Sequence, residues 1–499
     1  MKNKQSSRKP RQAAPSTRLK SSRSRSLYES PLTGRYGSPE MSYIFSEQFK
    51  FSTWRKLWLA LADGERMLGL PITEKQIRQL ARYTDDINFD AAEAKEREIR
   101  HDVMSHVHAY GVQAPAARGI IHLGATSAYV TDNTDLIQMR AGLELIARKL
   151  VNIIHALARF AAGHQDLPTL AYTHFQAAQP TTVGKRACLW IQDLLLDLED
   201  IELLRDTLPF LGVKGTTGTQ ASFLELFAGD IRKVQRLELL VAKAMGFQRV
   251  LAVSGQTYTR KLDYKALSVL CGVAQSAHKF ANDLRLLAHL KQIEEPFESE
   301  QVGSSAMAYK RNPMRAERMT GLARHLLVLV LDPALTAAEQ WFERTLDDSA
   351  NKRLAIPEAF LTADVVLETY LNVSQNLVVY PAVIGSALAA EMPFMVTENL
   401  LMEAVKRGGD RQKLHELIRR HSQAAAEQVK HAGKPNDLLQ RIAGDPAFKS
   451  VHGMLKDITD PRRYVGLAGE QTREFLRTHV DPVLRSHRAW LGLTGTVNV

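Results

Sequence analysis

Leu143-Glu-Leu-Ile-Ala-Arg-Lys-Leu-Val-Asn-Ile-Ile-His-Ala-Leu157 carries the pattern that decides the fold class. Leu143, Ile146, Leu150, Ile153, Ile154 and Leu157 recur at the three- and four-residue spacing that gathers side chains on one face of an α-helix. The same spacing returns further along the chain. It runs through Trp190, Ile191, Leu194, Leu195, Leu198, Ile201 and Leu204, and again through Leu267, Leu270, Val273, Ala274, Ala277, Ala281, Leu284 and Leu287. Met319, Leu322, Ala323 and Leu326 continue it, as do Phe360, Ala363, Leu367, Tyr370, Leu371 and Leu377. Rods of more than 20 residues are about 30–40 Å long at 1.5 Å per residue. Breakers are scarce, with 29 Gly and 19 Pro among 499 residues. Strand-like alternation is nearly absent; runs such as 249–253 are short and isolated. Long amphipathic helices without intervening strands pack on each other, so the expectation is an all-α fold with a central helical bundle. The bundle spans 127–379. A helical region at 28–126 precedes it, and a smaller one at 380–499 follows Tyr380-Pro381.

Charge adds a fourth segment. Lys and Arg total 65 against 54 Asp and Glu, a formal net charge of +11, and nine of the excess cations lie in residues 1–27, which hold no acid. About +2 remains for everything beyond. The Ser-rich, apolar-poor segment 1–27 reads as a disordered basic tail. Weak polyanion contact and targeting are the two other readings of its charge. Hydrophobic residues at 45% and charged ones at 24% exclude a fibrous or wholly disordered chain. Cys188 and Cys271 are the sole cysteines, which excludes a disulfide framework and points to a reducing, cytoplasmic setting. No apolar run is read as reaching the ~18–20 residues a bilayer needs, stretches such as 326–331 being cut short by charge. No membrane partner is therefore expected.

The segments that interrupt the helices carry the chemistry. In Gln301-Val-Gly-Ser-Ser-Ala-Met-Ala-Tyr-Lys-Arg-Asn-Pro-Met-Arg315, the Gly303-Ser304-Ser305 run offers backbone donors. Lys310, Arg311 and Arg315 supply cations, and Pro313 opens the next helix, so the loop reads as one that handles anions. Gly303-Ser304-Ser305-x-Met307-x-x-Lys310-x-Asn312-Pro313 resembles the signature of the fumarase/aspartase superfamily. Three further stretches resemble its adenylosuccinate lyases of the animal type: Arg100-His101-Asp102 through His108, Thr173-His174 through Gln179, and Trp341 through Arg353. The likeness runs from about Tyr28 to the C-terminal region. Ala308 and Ala177 stand where that family usually has Pro.

That resemblance implies a tetramer whose core is built from the central bundles, each site drawing on three chains. It also implies β-elimination of fumarate from adenylosuccinate and from the succinyl-carboxamide ribotide of purine synthesis. Such a reaction removes a proton beside a carboxylate, so it needs one base, one acid and a concentration of positive charge. By resemblance Ser304 is the base, the six-residue spacing before Lys310 favouring it over Ser305, and His174 is the acid. Arg35 and Tyr36 are placed at the substrate phosphate, with Arg344, Ser349 and Arg353. Arg100, His101, Asp102, Gln256, Lys310, Asn312 and Arg318 join the substrate site, and Thr126-Ser127 is assigned a carboxylate. No cofactor and no metal is implied; His101, His106 and His108 lack the companions of a zinc site. His106 and His108 are read as structural. The competing readings are another lyase of the superfamily, such as argininosuccinate lyase, or a non-catalytic scaffold of the same fold.

Overall fold

The computed structural model describes residues 27–298, 300–455 and 457–497. The basic tail assigned to 1–27 lies outside them, apart from Leu27. Five long helices form the centre: Ser127–Gly163, Val183–Thr207, Lys261–His289, Met314–Leu329 and Asp348–Gln375, here the first to fifth rods. The first packs on the second and fifth; the third packs on the second, fourth and fifth. Leu143, Ile146, Leu150, Ile153, Ile154 and Leu157 are all fully buried, so the face read from the sequence is the core face. The protein is all-α, as its periodicity implies. At 37 residues the first rod is about 55 Å long, well beyond the apolar run, because the polar stretch around Asp132 is helical too.

An aromatic seam locks three rods together. Trp190 of the second meets Phe280 of the third edge-on at 5.0 Å, and Phe280 stacks on Tyr370 of the fifth at 4.2 Å. The Trp190 indole N–H donates to Asp283 at 2.7 Å, so burying its polar atom leaves nothing unsatisfied. Thr182 caps the second rod by accepting from the Lys185 N–H at 3.1 Å.

Two features depart from the sequence reading. Pro168–Thr173 and Gln176–Thr182 pair as an antiparallel hairpin between the first and second rods. Its strands are rich in Thr, Ala and Gln and show no apolar alternation, which is why the sequence does not announce it. The second departure corrects the membrane reading: Met314–Ala338 is a 25-residue helical stretch long and apolar enough to cross a membrane by composition. It packs in the bundle against the third and fifth rods, yet only 17% of its apolar window is buried within one chain. On the second rod Leu189, Leu196 and Leu203, seven residues apart, are likewise more than half exposed.

Candidate active site

A cavity of about 830 Å³ opens where the first and fifth rods meet the segments around residues 45–50, 96–102, 256 and 344–346. Nine of the residues singled out above line it: Arg100, His101, Asp102, Thr126, Ser127, Gln256, Arg344, Ser349 and Arg353. Its size falls in the range of small-molecule sites.

Local structure explains why these side chains face it. Arg100 ends the helix Phe89–Ile99 in the left-handed region, at φ 54°, and His101 then caps the helix Asp102–Gln113. A non-glycine residue there costs of order 1–3 kcal/mol, a strain that concentrates at functional corners. The His101 Nδ1 accepts from the Met104 N–H at 3.3 Å, which leaves Nε2 as the ring's free position. Thr126 precedes the first rod without capping it through its side chain, so its hydroxyl and the rod's first N–H groups stay available to an anion. The Gln256 N–H donates to the Glu343 carbonyl at 3.0 Å, tying the two segments together. A Cβ at Gly255 would lie 2.5 Å from that same carbonyl, so only glycine permits the contact.

An ionic lattice that the sequence reading missed forms part of the cavity wall, where Asp132, Asp135 and Lys352 line it. The fully buried Arg260 bonds to Asp132 at 3.0 Å and to Asp348. Lys352 binds Asp135 at 2.7 Å and Asp132 at 3.5 Å. Burial by itself raises the Asp132 pKa, but Lys352 and Arg260 outweigh it and hold the carboxyl below its usual range. Asp263, whose carboxylate accepts from Tyr258, is pushed up to about 6 by burial. Asp132 and Asp135 interrupt an otherwise core-bound helix, but their partners lie far along the chain, so nothing local in the sequence announces the pairs.

The remaining candidates do not line this cavity. Arg318 sits 5.0 Å over the Tyr36 ring and Arg35 5.7 Å from it, so these three form a second cationic group. Burial, with Arg35 and Arg315 nearby, holds the Arg318 guanidinium below its ordinary pKa. Ser304, Lys310 and Asn312 share the loop before the fourth rod. There the Ser304 Oγ accepts from the Ala306 and Met307 N–H groups at 3.3 and 3.1 Å, and the Asn312 amide donates to the Gly303 carbonyl at 2.8 Å. A Cβ on Gly303 would lie 2.1 Å from the Lys310 carbonyl, so this loop too is closed by a glycine. His174 occupies the exposed two-residue tip of the hairpin, where it and Phe175 hold φ of 52° and 55°. Both angles positive match the tight turn that suits a twisted hairpin, though Asn-Gly is its usual occupant. His106, read as structural, is buried and stacks on Phe51 at 3.7 Å. Among the described residues no group of three or more His, Cys, Asp or Glu is arranged to hold a metal ion.

Comparison with known proteins fits this arrangement. A family model described as lyase matches residues 37–327, and one described as adenylosuccinate lyase C-terminus matches 393–475. The adenylosuccinate lyase of Saccharomyces cerevisiae is 52% identical over 93% of this chain and 97% of its own length. That of Schistosoma mansoni is 45% identical over 95% and 99%. Among solved structures, a fumarate lyase from Mesorhizobium sp. BNC1 superposes with a TM-score of 0.75 at 23% identity, covering 91% of this chain and all of that one, which speaks for the fold. A helical bundle shared with fumarate lyases, and close sequence kinship along nearly its whole length, make this chain a member of the adenylosuccinate lyase family.

Proposed function

We propose that this protein cleaves adenylosuccinate to AMP and fumarate, and by the same chemistry releases fumarate from the succinyl-carboxamide ribotide of purine synthesis. The observation that carries the reading is the convergence of nine substrate-binding candidates on one cavity. The substrate brings a phosphate and two carboxylates, and the cavity answers with Arg100, Arg344, Arg353 and an uncapped helix N-terminus. Ser304 removes the proton from the carbon beside a carboxylate. The electron pair of that C–H bond forms the new double bond while the C–N bond breaks, and His174 returns a proton to the departing nitrogen. The two backbone N–H groups on the Ser304 Oγ support its ionised form.

Ser304 and His174 belong to elements that do not line the cavity of their own chain, which supports a shared site in a homotetramer. The exposed leucines of the second rod and the uncovered face of Met314–Ala338 supply the apolar surface such an assembly needs. Pure protein mixed with adenylosuccinate should lower its ultraviolet absorbance. Ser304→Ala and His174→Ala chains, each inactive alone, should recover part of the rate when unfolded and refolded together. An intact assembly that leaves adenylosuccinate unchanged would sink the proposal.

A further inference from the structure

Lys50 lines the cavity from the helix Glu47–Met67. Its ammonium stands 5.1 Å from the ring centres of both Phe51 and Trp54. The charged groups that face it are Arg353, which repels it, and Asp135, Asp102 and Glu47, which attract it. Yet those carboxylates serve others or stand off. Asp135 is held by Lys352, Asp102 lies 3.6 Å from Arg353, and among the described residues no acid comes within 4.0 Å of the Lys50 Nζ. His106, stacked on Phe51, has its pKa lowered to about 4 by burial and adds no charge at neutral pH.

An ammonium partly stripped of water, pressed by a guanidinium and left without an ion pair, is unfavourable until an anion arrives. Burial foremost, then Arg353, lowers the Lys50 pKa, which agrees with that geometry. Two cations that repel each other across a cavity suit a doubly charged ligand better than a single carboxylate. The first rod's N-terminus already offers carboxylate donors. We infer that Lys50 is a further substrate-binding residue, forming with Arg353 a two-cation clamp for the phosphomonoester of the nucleotide. The inference rests on the adenylosuccinate reading for the identity of that nucleotide.

The test uses the full chain with Lys50→Met and Lys50→Arg, titrated calorimetrically with AMP and with fumarate and assayed with adenylosuccinate. Loss of a charge-assisted contact should weaken AMP binding and raise KM by about tenfold to a hundredfold in Lys50→Met, with kcat little changed. Fumarate affinity should stay the same, and Lys50→Arg should recover most of the AMP affinity. Because an ammonium is charged below its pKa, AMP binding by the wild-type chain should weaken as pH rises through the lowered Lys50 value. Lys50→Arg should hold on to higher pH, a difference that inert packing would not produce. Unchanged AMP affinity in Lys50→Met, a loss of fumarate affinity in place of AMP affinity, or an arginine no better than methionine would each overturn the inference. If Lys50→Met does not fold, the pH profile of Lys50→Arg still decides. A wild-type chain that binds AMP through Lys50 but never turns over adenylosuccinate would retire the proposed reaction and leave the clamp standing.

Discussion

At His174 the chain accepts a left-handed backbone on an imidazole and then repeats it on Phe175, placing the ring at an exposed tip. A general acid contributes ~10²–10⁴ to rate, so His174→Ala should lower kcat by about that factor while the melting temperature holds, as stopped-flow and thermal melts would show. Buried groups give a different readout. His106 has its pKa lowered to about 4 by burial, so the stability it lends is complete above about pH 6.5 and is lost as pH falls toward 4. Glu65 runs the other way. Its two carboxylate oxygens are buried without partners, its pKa is raised to about 8, and stability falls as pH climbs from the ordinary carboxylate range toward that value. Below about pH 6.5 the two slopes oppose each other, so urea midpoints at pH 5, 7 and 8.5 should fall more steeply with pH in His106→Phe, where Glu65 acts unopposed, and should lose their fall toward pH 8 in Glu65→Gln. Each slope is at most about 1.4 kcal/mol per pH unit. At this scale the sequence disclosed motif residues well, because their types and spacing are local. Lys50 stayed hidden, since one lysine on a helix reads as a solvated charge until the fold leaves it without an acid.

Helices were the legible elements. A 3.6-residue period sustained over several turns survives any tertiary arrangement, so five rods appear where the apolar faces demanded them. The hairpin was illegible because Thr, Ala and Gln leave no alternating trace, and it packs mainly against the distant helix Pro381–Met395. The lattice around Arg260 was equally silent. Its ion pairs join residues 88 to 128 positions apart, and separation of that size has no local signature. Rod packing itself makes a sharp prediction. A Cβ at Gly142 would lie 2.5 Å from the Phe360 ring, so Gly142→Ala should force the first and fifth rods apart. The expected loss is about 1–3 kcal/mol, read as a lower melting temperature with the catalytic groups untouched.

For the whole molecule, the unburied apolar surface is the property that one chain cannot explain. Leu196→Glu sets a charge in the middle of the exposed leucine row and should shift the particle to smaller size in sedimentation, with activity falling in step. The sequence carried this in its rods, which are apolar over more of their girth than one bundle can cover, though it did not say which face meets which copy. The ionic lattice in the cavity wall has one more effect, on how the protein feels its solvent. Arg260 with Asp132, and Lys352 with Asp135, are paired at close range in mostly buried positions that salt screens least, while Arg100 and Arg353 stand at the exposed lip. Adding potassium chloride should then erode nucleotide capture through the lip while the foundation keeps its shape, so that KM drifts upward across a range of ionic strength that leaves the melting point nearly still.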